Sequence, residues 1–183
     1  MNRILVMFNC GIGGSELKDI ELKLISELIK NSRRSDRELA KAIGISQPTV
    51  SRIRVRLEKE GLIDYSAVPN IAKLGFEIFA ITYGKWKQEM ISDQKIETAK
   101  AFLSRHPNMI FVSTGTGLGF DRVTMSFHKS YSDYSQFIRE LKEEWTPFLG
   151  DPQSFIASLS SDNILRNLTF KYLAEQVKKE SAH

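Results

Sequence analysis

Residues 46 to 59 read SQPTVSRIRVRLEK, a run rich in groups that can meet a polyanion. Ser46, Gln47, Thr49 and Ser51 can donate hydrogen bonds to phosphate oxygens or base edges. Arg52 and Arg56 carry planar forks suited to phosphate or to the O6/N7 edge of guanine. Pro48 sits among them and Lys59 adds a cation one turn beyond Arg56. The surrounding charge is lopsided. From Lys30 to Lys59 nine Lys/Arg stand against three Asp/Glu, an excess of +6, while all 183 residues together carry +4. One segment therefore holds the whole excess, which points to a polyanionic partner more firmly than the overall pI does.

A second candidate is TGTGLGFD, with Gly115, Gly117, Gly119 and Asp121. Its G-x-G-x-G spacing and its lead into a strand do not suit a phosphate loop, which needs G-x-G-x-x-G or G-K-[ST] at a helix start. Two readings stay open: a flexible connection between strands, or a loop lining a small-ligand or subunit contact, with Asp121 holding an amine or capping the turn. His106, His128 and His183 are scattered, so no metal site is expected. Glu143 and Glu144 read as a solvated helix face. No G-x-S-x-G turn occurs, and no enzyme and no cofactor are expected. The single cysteine, Cys10, excludes a disulfide framework and reads as an inert thiol.

These residues act only if something holds them, and the local signals conflict. Arg52 to Leu57 alternates like a strand, yet its flanks say helix. Ser46 supplies an N-cap, Pro48 is tolerated in a first turn, and Gly61 provides a stop. Val50, Ile53 and Leu57 fall on one helical stripe, with Ser51, Arg52, Val55, Arg56 and Lys59 away from it. The helix prevails. Ahead of it, Ser35 and Glu38 form a capping box for a short helix ending at Gly44. DIELKLISELIKN gives an earlier amphipathic helix with Asp19 as N-cap. Three helices with a turn through Gly44 make a helix-turn-helix whose last helix can enter the major groove, and LIDYSA offers a short wing.

Beyond the Pro-Asn turn the pattern changes. A strand is expected over about 76–83, a helix from Asp93 to Arg105, strands over MIFVSTGTG and DRVTMSFH, and a helix with Tyr134, Phe137, Leu141 and Trp145 on one face. SFIASLS closes the series as a strand. The order β-α-β-β-α-β is ferredoxin-like, so the fold class is α+β: a winged helix-turn-helix followed by a ferredoxin-like domain. Phe79, Ile81, Ile110, Val112, Val123 and Met125 are too apolar to divide cleanly between core and water, so at least a homodimer is expected. The expected boundaries are a tail over 1–16, the DNA-binding domain over 17–66, a hinge over 67–75, the second domain over 76–160 and an extension over 161–183. LTFKYL in that extension alternates, while LAEQVKKE reads as a charged helix or tail. With no membrane-length apolar run and no signal peptide, a cytoplasmic location is expected.

ELAKAIGISQPTVSRIRVRLEKEGLI, within residues 17–160, resembles the Lrp/AsnC family of leucine-responsive and asparagine-synthase regulators. The resemblance implies a sequence-specific DNA-binding transcriptional regulator, with Gln47, Pro48, Thr49, Ser51, Arg52 and Arg56 at or beside the reading helix. More weakly, VSTGTGLGFDRVTMSFH resembles the family's effector domain. That implies an amino-acid effector near Gly115, Gly119 and Asp121. Alternatives are an architectural DNA binder without ligand and a small nucleotide-binding enzyme using the Gly-rich loop.

Overall fold

The computed structural model describes residues 17–87, 93–145 and 148–179; Cys10 and His183 lie outside them, as do the expected N-terminal tail and the ends of the chain. The chain forms two units. One runs to Val68 and takes in the chain again from Asn167; the other is Pro69–Arg166.

The first unit opens with α1 (Asp19–Lys30), α2 (Asp36–Ile43) and α3 (Gln47–Lys59). Leu24, Leu28, Leu39, Ala40, Val50, Ile53 and Leu57 form its core, so the expected stripe of α3 is the buried one. Burying such side chains supplies roughly 1.5–3 kcal/mol each. The caps follow the sequence, with one exception. The Ser35 hydroxyl accepts from the Glu38 N–H and Ser46 from the Thr49 N–H. At α1, however, Lys18 is the cap residue and Asp19 is already helical; the Glu21 carboxylate satisfies the Lys18 N–H at 3.1 Å. An acid inside the first turn faces the helix dipole as favourably as a cap would. Gly44 closes α2 with φ of 78°, a left-handed conformation that any Cβ would strain.

Residues 63–70, which include most of the segment read as a wing, run without paired strands. The C-terminal segment returns to this unit. Phe170–Leu173 is a 3-10 turn, despite its strand-like alternation, and leads into α6 (Ala174–Lys179). α6 packs on α1, Ala174 is buried, and Glu175 pairs with Lys30 at 2.7 Å.

The second unit has β1 (Ile78–Gly84), α4 (Asp93–Arg105), β2 (Met109–Gly117), β3 (Phe120–His128), α5 (Tyr131–Trp145) and β4 (Gln153–Ser158). The strands form one antiparallel sheet in the order β2-β3-β1-β4. In β1 alternate residues are buried, namely Ile78, Ala80, Thr82 and Gly84. The register carries that face through Ser126 and His128 on β3, where the His128 ring meets Phe137 of α5. Phe102, Phe137 and Trp145 form the core between sheet and helices. Leu141, expected beside them, packs at the edge of this core only partly buried.

The other sheet face holds Phe79, Ile81 and Tyr83, with Met125 and Val123 opposite the last two and Phe155 opposite Ile81. Phe155 is 63% exposed. Val112, opposite Thr124, belongs to the helix side, and Ile110 sits at a register shift in β2. The six apolar residues of the sequence reading thus do not share a face.

Candidate nucleic-acid interface

α3 presents the residues singled out from sequence along one helix. Ser46 is occupied at its start: its hydroxyl bonds the Thr49 N–H at 3.3 Å and the Thr49 hydroxyl at 2.7 Å. Gln47, Pro48, Arg52 and Lys59 are exposed and Ser51 is half-buried. Arg52 and Lys59 lie seven residues apart, on one side of the helix. Among the described residues neither meets a carboxylate.

Arg56 is placed differently. Its guanidinium pairs with Glu21 of α1, which is only 4% exposed, and lies 3.7 Å from Glu60. Arg56 therefore braces α3 against α1. Sequence reasoning missed this partner, although the signal was there: Glu21 precedes Leu24 by three and Leu28 by seven, so it stands on the apolar stripe of α1. A carboxylate in that position needs a cation.

Arg54, near the edge of the stripe, is also committed internally. It bonds Asp36 at 3.1 Å, Glu58 at 3.2 Å and the Tyr65 hydroxyl at 2.8 Å, tying the residues after α3 back to α2. Lys30 and Arg34 share Glu27, and the Lys30 hydrogen bond, more than any other contact, holds that carboxyl below the usual range. The basic segment therefore divides. Lys30, Arg34, Arg54 and Arg56 hold the fold; Arg33, Arg37, Lys41, Arg52 and Lys59 have no acidic partner among the described residues. Arg37 and Lys41 share one side of α2.

The glycine-rich stretch of the second unit is a tight hairpin. Gly115 and Gly117 belong to β2, and only Leu118 and Gly119 form the turn, both with positive φ (53° and 79°). Positive φ at both central residues follows the twist of the paired strands and sets the hairpin closely. The register shifts between Thr114 and Gly117. The strands expected over MIFVSTGTG and DRVTMSFH are present, and the flexible connection expected between them is instead this two-residue turn. Asp121 lies on β3, where its Oδ1 accepts the backbone N–H of Trp86 at 3.2 Å. Arg122 lies 5.3 Å over the Trp86 ring; burial works against its charge, and Asp121 beside it works for it.

Helices capped and spaced in this way, with a basic outward face, define a helix-turn-helix DNA-binding module. Residues 17–64 match the model of the winged helix-turn-helix DNA-binding family. The HTH-type transcriptional regulator Ptr1 of Methanocaldococcus jannaschii is 31% identical over 125 residues, covering 68% of this chain and 80% of that protein. An HTH-type transcriptional regulator of Pyrococcus furiosus is 28% identical over 127 residues, covering 69% and 82%. Among solved structures, LrpC of Bacillus subtilis superposes with a TM-score of 0.63 at 25% identity, covering 84% of this chain and 98% of that one. A Neisseria meningitidis regulator solved as a complex with L-Met gives 0.66 at 19%, covering 86% and 99%. The chain belongs to the Lrp/AsnC family of transcriptional regulators. It is a DNA-binding transcriptional regulator. Among the described residues no helix is long and apolar enough to cross a membrane.

Proposed function

We propose that α3 is the helix that reads double-stranded DNA in the major groove. Gln47, Pro48, Thr49, Ser51 and Arg52 lie at base edges, Ser46 holds the helix start beside the backbone, and Lys59 meets phosphate. Arg56 keeps the helix seated on α1. The observation that carries this reading is the division of the basic segment: internal carboxylates take four of its cations and leave the others, Arg52 and Lys59 among them, to a partner. Binding to duplex DNA over a salt series is the test. Affinity should fall linearly on logarithmic axes, with a slope that lessens by about one when Lys59 is replaced by Ala. A slope unchanged by that substitution would remove Lys59 from the interface.

We further propose that a second copy covers the apolar face of the sheet, so that the regulator presents two reading helices to two half-sites. The second unit also takes a small amino acid, with Asp121 receiving its ammonium group. The L-Met complex of the Neisseria protein supports this reading, as does Asp121's carboxylate, which has one oxygen on Trp86 and stands at the surface. Trp86 and Trp145 are the chain's two tryptophans and stack edge to face, so tryptophan fluorescence reports on this neighbourhood. A saturable change on titrating amino acids, lost in Asp121→Asn, is the expected result; no response to any of them would rule the effector out.

A further inference from the structure

Val55 is the one apolar residue in the third turn of α3 that faces away from the core, and it is 60% exposed. Pro48, Ser51, Arg52 and Val55 follow the spacing i, i+3, i+4, i+7, so they form one stripe. Homeodomain reading helices line the major groove with the same spacing. Helix stability does not explain the residue: valine is a poorer helix former than the lysine or glutamine that solvated positions usually carry. We infer that Val55 is a base-reading residue whose side chain packs on the C5-methyl group of a thymine. This rests on the placement of α3 in the groove proposed above.

The chemistry of the groove narrows the choice. Major-groove edges display donors and acceptors, and the thymine methyl is their single apolar group. A side chain of two methyl groups offers nothing to the other edges, and it would strip water from them without replacing the hydrogen bonds. Over a thymine it buries apolar surface on both sides. The helix rises about 4.5 Å from Arg52 to Val55, against roughly 3.4 Å per base step. The thymine therefore lies one or two base pairs from the pair that Arg52 meets.

The test uses the full chain. Duplexes are selected from a random pool by the wild-type protein, and each thymine of the selected site is then replaced singly by uracil, which removes the methyl group alone. At one position the wild type should bind the uracil duplex about fourfold more weakly, the effect of one buried methyl group. Val55→Ala, which keeps the helix because the site is exposed and alanine favours helices, should bind both duplexes alike. Val55→Ile should restore the discrimination. A wild type indifferent to uracil at every thymine, or a Val55→Ala protein with the same preference, overturns the inference while leaving DNA reading by α3 in place. Failure of that underlying reading shows earlier, as a pool from which nothing is enriched, and the inference falls with it.

Discussion

At the scale of single residues, cations of the same charge do different work. Arg52→Ala should weaken binding to a selected duplex by about 1–3 kcal/mol and relax specificity at one base pair, with the melting temperature unchanged. Arg34→Ala should do the reverse, because Arg34 holds Glu27 and the Glu38 carbonyl. Arg56→Ala leaves Glu21 buried without its cation and should cost about 1–3 kcal/mol of stability, with partial recovery when Glu21→Gln is added. Denaturant titrations beside anisotropy measurements separate these outcomes. His128 gives a pH signature. It is fully buried, its Nε2 lies 2.8 Å from the Ser126 hydroxyl, and burial pushes its pKa below the ordinary 6.5, with Asp133 opposing. The folded chain thus prefers the neutral ring. Above pH 6.5 both states are neutral and nothing is lost; as pH falls below 6.5 the unfolded chain takes the proton first and stability declines. Melting curves should be level near neutrality and drop towards about pH 5, a drop that His128→Gln flattens.

At the scale of elements, what could be read from sequence was what local chemistry decides. Ser35, Gly44, Ser46 and Gly61 marked the helix ends because caps and left-handed residues act within a turn of chain. Val50, Ile53 and Leu57 settled α3 as a helix against the alternation of Arg52 to Leu57, since a stripe must match the core it meets. Pairing between distant residues was not legible. Nothing local to Arg56 names Glu21. The extent of β2 through Gly117 was legible in the strand MIFVSTGTG, whereas the two-residue turn at Leu118 and Gly119, set by the ladder to β3, was not. LTFKYL alternates like a strand but no sheet edge takes it. α3 was thus plain as an element, while the division of its cations required the tertiary structure. The hairpin yields its own prediction. Leu118 holds a positive φ that leucine resists and is 81% exposed. Leu118→Asn places Asn-Gly at the turn, the pair this geometry favours, and should stabilise the protein by about 1 kcal/mol. Thermal unfolding should show a rise of about 2–4 °C.

At the scale of the whole molecule, the sheet face bears on the proposed assembly and the C-terminal segment on the integrity of the first unit. Phe155→Glu puts a charge on the apolar face opposite Ile81 without touching the buried side of the sheet. Sedimentation should then show a monomer where the unmodified chain gives at least a dimer, and DNA affinity should fall with it. Equal masses for both proteins would mean that another surface joins the copies. The return of the chain to its first unit has a consequence for the order in which the protein is made. Synthesis runs from the N-terminus, and early domains ordinarily fold while later ones are still being added. Here α6 supplies a buried residue and an ion pair to α1, yet it is made only after all of Pro69–Arg166. The helix-turn-helix unit is therefore completed only after the whole second unit has been synthesised, and a nascent chain cut short anywhere before Ala174 lacks the piece that completes it.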